Sequence, residues 1–365
     1  MTARFFDPLL RAELSELRSY EPHAGSFEVR LDANEAPPLL SPEASAALAQ
    51  AMIPPQYNRY PDPRAMALRA AIAASCGASP DEILVGTGSD EIIALLLTAL
   101  DRPRDRALAA SIVTPSPTFV MYRLSARARG FEVVEVPLDA AWDLDVNGMK
   151  RAVELARPNL IFVATPNNPT GTRVSVERLR AVIEAAPDAL VIVDEAYVDF
   201  AGADAGPQLE LRDAYPNVAV LRTLSKVGFA ALRVGWLVAP AELVREIDKT
   251  RQPYNLPTPS QRGATFVLRD LGAEVARISA IIVSERARLA AGLAALGFNV
   301  TPSEANFLWV ECERPADEVV SALAARGVLV KSFHASGGRL LKRMRITVGL
   351  AGENDRLLHE IAACR

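Results

Sequence analysis

Residues 159–197 read NLIFVATPNNPTGTRVSVERLRAVIEAAPDALVIVDEAY. The first eight, NLIFVATP, form a short apolar run closed by proline. SVERLRAVIEAA (175–186) carries apolar residues at helical spacing, and ALVIVDEAY (189–197) is a second apolar run. Strand, helix, strand in this order predicts two parallel strands joined by a covering helix. Because both strands are continuously apolar rather than alternating, the sheet must be covered on both faces.

The same alternation extends in both directions. ILVG (83–86), ASIVTP (110–115), FEVVEVPL (131–138), NVAVLRTL (217–224) and GWLVAP (235–240) read as further strands. TGSDEIIALLLTAL (87–100), PTFVMYRLSARARG (117–130) and DVNGMKRAVELA (145–156) read as helices between them. The texture changes near residue 250. A long helical pattern over 259–296 is followed by ANFLWVE (305–311), a helix near 315–325, GVLV (327–330) and RMRITVG (343–349). We therefore expect an α/β large domain over 41–250, with a mainly parallel central sheet. A smaller α+β domain should follow over 251–365, with QPYNLPTPSQ (252–261) as a hinge and residues 1–40 as an arm packing on the small domain.

The chain has 365 residues, half of them hydrophobic, and a formal charge of −4. That balance disfavours nucleic acid or an anionic membrane as partner. The longest apolar run, IIALLLTAL (92–100), is too short to cross a bilayer. The opening MTARFFDPLLRAELSELRSY carries acids early and lacks an unbroken apolar stretch, so no secretory leader is expected. Three scattered cysteines and three histidines argue against both a disulfide framework and a metal centre. The expectation is a cytoplasmic enzyme.

In open α/β sheets, ligands collect at the carboxyl ends of the strands. The polar residues there are Gly86 to Glu91, Thr118–Phe119, Pro166 to Gly171, Asp194 to Tyr197, and Ser225–Lys226. Taken singly, each has a plain reading. TPNNPTG is a proline-rich turn, and GTGSDE is a glycine turn with Glu91 where a dinucleotide fingerprint would have glycine. Phe119 could be core, and Asp194 could cap a helix. Lys226 could be a lysine at a strand end with its amine in water. Together they supply an amine, a buried acid, amide and phenol donors, an aromatic face and a helix N-terminus, which are the groups that pyridoxal phosphate requires.

The order of these motifs, NNPTG, VDEAY, then SK followed by Arg233, resembles the fold-type-I aminotransferases. LDANEAP (31–37), RYPDP (59–63), GTGSDE (86–91), PTFVMY (117–122), SEANFLWV (303–310), GVLVKSF (327–333) and MRITVG (344–349) resemble histidinol-phosphate aminotransferases more narrowly, across nearly the whole chain. This resemblance implies pyridoxal 5'-phosphate as cofactor, with Lys226 as the Schiff-base and proton-shuttling lysine. Asp194 would hold the ring nitrogen, Asn168 and Tyr197 the ring oxygen, and Phe119 would stack on the ring. Ser89, Asp90 (through its backbone), Ser225 and Arg233 would hold the phosphate, with Tyr60 reaching it from a partner subunit. Tyr20, Asn168, Lys331 and Arg345 would meet the substrates, histidinol phosphate and glutamate or 2-oxoglutarate. A homodimer with a shared site is implied.

Three positions depart from many relatives. Phe119 stands for tyrosine, Lys331 stands for arginine, and the Lys226–Arg233 loop is one residue shorter than in some relatives. An aromatic amino acid aminotransferase, a threonine-phosphate decarboxylase and a non-catalytic scaffold of the same fold are the alternatives. In RMRITVG, alternation places Arg343, Arg345 and Thr347 on one face, which is either a solvated face or the wall of a cleft.

Overall fold

The structure is a computed structural model that describes residues 9–11, 13–14, 17, 25–104, 108–202 and 209–364. The chain opens with β1 (Val29–Leu31), α1 (Pro42–Met52) and α2 (Met66–Cys76). Then follow β2 (Ile83–Thr87), α3 (Gly88–Ala99), β3 (Ser111–Ser116), α4 (Val120–Arg127), β4 (Glu132–Pro137), α5 (Val146–Ala156), β5 (Leu160–Ala164) and α6 (Val176–Ala185). β6 (Leu190–Asp194), α7 (Leu209–Ala214), β7 (Val218–Thr223) and β8 (Val234–Val238) complete the first sheet. The remainder is α8 (Ala241–Asp248), α9 (Thr258–Asp270), α10 (Gly272–Ala295), β9 (Asn299–Thr301), β10 (Phe307–Glu311), α11 (Ala316–Ala324), β11 (Val328–Ser332), β12 (Arg343–Thr347) and α12 (Ala351–Ala362).

Seven strands form the large sheet in the order β2-β8-β7-β6-β5-β3-β4. All pairings are parallel except those of β8, which runs antiparallel to both β2 and β7. Every residue of β5 is buried, as its unbroken LIFVA run predicts. Apolar clusters cover both faces: Ile92, Leu96, Tyr122 and Phe162 belong to one, Met149, Leu179, Val182 and Val191 to the other. The chain proceeds from β3 outward to β4, then returns to place β5 on the other side of β3. That reversal opens a crevice at the carboxyl ends of the strands.

The second sheet has the order β1-β11-β12-β10-β9, with β1 parallel to β11 and the other pairs antiparallel. One face packs under helices: Met344 and Ile346 share a core with Leu289, Leu323 and Leu357. The opposite face looks toward the large sheet, where Trp309 meets Trp142 edge to face at 5.8 Å. Arg343 and Arg345 lie on that face at 9% exposure each and Thr347 at 2%. This is the wall of a cleft and not a solvated face.

The helical pattern over 259–296 is two helices, separated at Leu271. α9 lies after the boundary expected near residue 250, yet it packs on α1 and α2. Its buried Ala264 and Val267 share a cluster with Leu68 and Ile72. The passage from one sheet to the other therefore runs along α10, which touches the Ser225–Phe229 turn near one end and β9 near the other. Among the described residues no helix is long and apolar enough to cross a membrane.

Candidate active site

Asp194 ends β6 at 4% exposure. Its Oδ2 accepts from the Tyr122 hydroxyl at 2.5 Å and its Oδ1 from the Ala196 N–H at 2.9 Å. Both are neutral donors. Burial pushes the carboxyl up to about 6 from its ordinary 3.8, while the two hydrogen bonds and the charge of Lys226 pull the other way. Tyr122 is fully buried, stacked on Phe162 at 4.7 Å and edge-on to Phe119 at 5.4 Å. Burial raises its phenol well above 10, and the Asp194 charge adds to this, so it remains a donor.

Lys226 follows β7 within a single π-turn, Ser225–Phe229. Its Nζ lies 5.7 Å from the centre of the Tyr197 ring. The turn closes through Gly228 at φ 100° and returns to β8 through Arg233 at φ 54°. Thr223 Oγ1 anchors the entry, 2.9 Å from Ser225 Oγ and 3.1 Å from Ser225 N.

The N-terminus of α3 forms a tight cradle. Gly88 N–H donates to the Arg233 carbonyl at 2.9 Å. A Cβ on Gly88, whose φ is 76°, would lie 2.7 Å from Arg233 Nη2. A Cβ on Gly235 would lie 2.5 Å from Ser89 N. At Gly235 only glycine lets the two backbones approach so closely, and at Gly88 the positive φ favours glycine. The arginine head is thus pressed against the start of a helix whose first N–H groups can receive an anion.

Asn168, after β5, is 9% exposed, and its Oδ1 accepts from Arg345 Nη1 at 2.6 Å. Its Nδ2 is the end that can donate to a ligand. The second nitrogen of Arg345 donates to the Asp32 carbonyl at 2.6 Å. Lys331 on β11 is in register with Arg345 on β12. Burial lowers the Lys331 pKa, Arg345 lowers it further, and Asp32 opposes both. The Tyr197 hydroxyl oxygen accepts from Asn34 Nδ2 at 2.9 Å.

The fold thus gathers Asp194, Tyr197, Ser225, Lys226, Ser89, Arg233, Phe119, Asn168, Lys331 and Arg345 around the crevice and its facing wall. Asp90 is exposed in the first turn of α3. Tyr60 is not part of this group; it is 80% exposed and stacked on Tyr254 at 4.6 Å. Tyr20 lies outside the described residues. Sequence reading assigned no site role to Tyr122, Asn34 or Thr347. Tyr122 could have been found, because it lies one helical turn beyond Phe119. Asn34 and Thr347 are 313 residues apart and no local pattern joins them. Among the described residues no group of His, Cys, Asp and Glu is placed to hold a metal.

Residues 28–361 match the family described as aminotransferase class I and II. The chain belongs to the class I and II aminotransferases. It is 39% identical to histidinol-phosphate aminotransferase 2 of Nitrosococcus oceani, over 98% of this chain and 97% of that one. It is equally 39% identical to histidinol-phosphate aminotransferase 1 of Carboxydothermus hydrogenoformans, over 95% and 96%. Among solved structures, histidinol-phosphate aminotransferase from Sinorhizobium meliloti in complex with pyridoxal-5'-phosphate superposes with a TM-score of 0.86. That match has 25% identity and covers 97% of this chain and 96% of that one.

The site of this aminotransferase fits that cofactor on its own geometry. A buried carboxylate bonded only to neutral donors suits a protonated ring nitrogen. The glycine cradle with Arg233 suits a phosphate. The Asn168 amide and Tyr197 phenol can serve a ring oxygen, and Lys226 an aldehyde.

Proposed function

We propose that this enzyme is a pyridoxal-phosphate-dependent histidinol-phosphate aminotransferase. It would exchange the amino group between histidinol phosphate and 2-oxoglutarate, giving imidazole acetol phosphate and glutamate in histidine biosynthesis. The observation that carries this reading is near-complete coverage of relatives of that name, together with the buried Asp194 beside Lys226.

Bound pyridoxal phosphate supplies an electron-withdrawing ring that accepts the electron pair left when a substrate Cα–H bond breaks. Asp194 holds the proton on the ring nitrogen, its negative charge offsetting the positive one. Lys226 Nζ would hold the cofactor, and its free amine would take the proton from the substrate Cα and return it as an acid. Asn168 and Tyr197 orient the ring through its oxygen, and Phe119 covers one face. Ser89, the Asp90 backbone, Ser225 and Arg233 hold the phosphate. Arg345 and Lys331, with Tyr20, meet the anionic ends of the substrates.

We read the two sheets as two lobes that meet at this crevice, with β1 seated in the sheet of the small lobe. We further infer a cytoplasmic homodimer. Tyr57 and Tyr60 are 83% and 80% exposed, and Tyr254 stacks beside Tyr60, so a patch of bare aromatic surface lies on a proline-rich loop. A partner subunit would cover it and receive Tyr60 at its own phosphate site.

The test is a visible absorbance band in the purified protein that glutamate bleaches, followed by kcat/KM for histidinol phosphate, phenylalanine and threonine phosphate. Preference for phenylalanine, or carbon dioxide released from threonine phosphate, would overturn the substrate while leaving the cofactor reading intact.

A further inference from the structure

Asn34 follows β1 in LDANEAP and is 1% exposed. Its φ of 55° lies in the left-handed region, which asparagine enters more readily than most residues. Its N–H donates to Thr347 Oγ1 at 3.0 Å, and its carbonyl accepts from Asn306 Nδ2 at 3.1 Å. The Thr347 hydroxyl, having accepted from that N–H, donates its own proton to Asn34 Oδ1 at 3.3 Å. In this placement Nδ2 faces the Tyr197 hydroxyl, 2.9 Å away, and donates to it. An amide nitrogen only donates, so the Tyr197 oxygen accepts there and its proton must point elsewhere. The Tyr197 ring is held meanwhile by Phe307, edge-on at 5.1 Å.

Three of the four residues in this network belong to the small-sheet side of the cleft. Asn34 follows β1, Thr347 ends β12, and Asn306 precedes β10. Only Tyr197 comes from the large sheet.

We propose that Asn34 is a positioning residue for transamination: by donating to Tyr197 it aims the phenol proton at the ring oxygen of the bound cofactor, and it couples that aim to the seating of the small sheet. This rests on the pyridoxal-phosphate reading above. A phenol that donates to the ring oxygen stabilises its negative charge. Turning the phenol away makes that oxygen more basic, so the proton it shares with the neighbouring lysine link leaves only at higher pH.

Asn34→Asp is the informative variant. It preserves size and tolerates the same backbone, but presents a carboxylate that only accepts, which reverses the bond from Tyr197. In cofactor-free protein labelled with 13C at the tyrosine ζ carbon, the Tyr197 resonance, assigned by its loss in Tyr197→Phe, should shift in Asn34→Asp. In protein loaded with pyridoxal phosphate, the pH midpoint of the visible band should rise by about one unit in Asn34→Asp and in Tyr197→Phe. The double variant should rise no further than Tyr197→Phe alone, because Asn34 acts through that phenol. Cofactor dissociation constants should increase roughly fivefold in each. Asn34→Gly, which keeps the backbone and deletes the donor, should raise the midpoint likewise and serves if the aspartate variant does not fold.

An unchanged midpoint in both Asn34 variants, with a normal wild-type band, overturns the inference and spares the cofactor. A midpoint shift that adds to that of Tyr197→Phe also overturns it. A wild type that forms no band at all overturns the cofactor reading, and this inference with it.

Discussion

Asp194 concentrates the electrostatics of the site. Burial raises its pKa to about 6 from 3.8, so in cofactor-free protein the charged form is disfavoured. The consequence for stability has a definite sign. Above pH 6 the buried carboxylate is ionised and its desolvation penalty is fully present. As pH falls from 6 toward 3.8, the folded group takes up a proton that the unfolded one does not, and the penalty is relieved. Cofactor-free Asp194→Asn should therefore melt higher than wild type at pH 8, with the gap closing as pH drops through this window. An equal gap at pH 8 and pH 4.5 would contradict the assignment. With cofactor the balance reverses, since the negative charge now meets a positive ring nitrogen; Asp194→Asn should lose several orders of magnitude in kcat. Lys331 poses a second question at this scale. An ammonium is a point charge where a guanidinium would be a fork. Lys331→Ala should reduce kcat/KM for histidinol phosphate by about 10- to 100-fold, the cost of one charge-assisted bond, and spare glutamate more. Arg345→Ala should impair both substrates.

At the scale of elements, β8 and α3 constrain one another. Gly235 faces backbone atoms of Gly88 and Ser89, and a methyl group there would be 2.5 Å from Ser89 N. Backbone cannot yield as a flexible side chain can, so Gly235→Ala should push the start of α3 away from Arg233. We expect a loss of about 1–3 kcal/mol in unfolding free energy, read by denaturant titration. Pyridoxal-phosphate affinity should fall at least ~10-fold because the cradle's N–H groups move with the helix. Gly272, with open space around its Cβ position, is the control: Gly272→Ala should leave cofactor affinity unchanged and should not lower stability. β12 shows the converse arrangement. Its alternating pattern puts Met344 and Ile346 into a helix-covered core, so Arg345 must face the cleft, and a one-residue register slip would exchange them.

At the scale of the whole molecule, two halves far apart in sequence meet across one crevice, and in the homodimer proposed above a second copy would complete it. Tyr60→Phe should impair turnover, and Lys226→Ala should abolish it. Mixed to form verified heterodimers, the two chains should recover up to one competent site per dimer if, as proposed, Tyr60 of one subunit serves the other's phosphate. Heterodimers that recover no activity, given that Tyr60→Phe alone is severely impaired, would show that the site is not shared.

The sequence by itself determined the alternation of buried strands and helices, since continuous Val, Ile and Leu runs have few other uses. It also determined the residues at the strand ends, where topology leaves little freedom: Asp194, Lys226 and Asn168 sit where their motifs place them. The small strand β1, two helices before β2 and the break between α9 and α10 had no comparably strong local pattern. The tertiary structure decided what no short stretch encodes. Tyr122 became a partner of Asp194 because the start of α4 packs over β6, and Asn34 reached Tyr197 because β1 joins a sheet whose other strands come some 300 residues later. Local patterns report burial and periodicity, which depend on neighbours in the chain. Hydrogen bonds across a cleft depend on how two sheets are seated, and only packing fixes that.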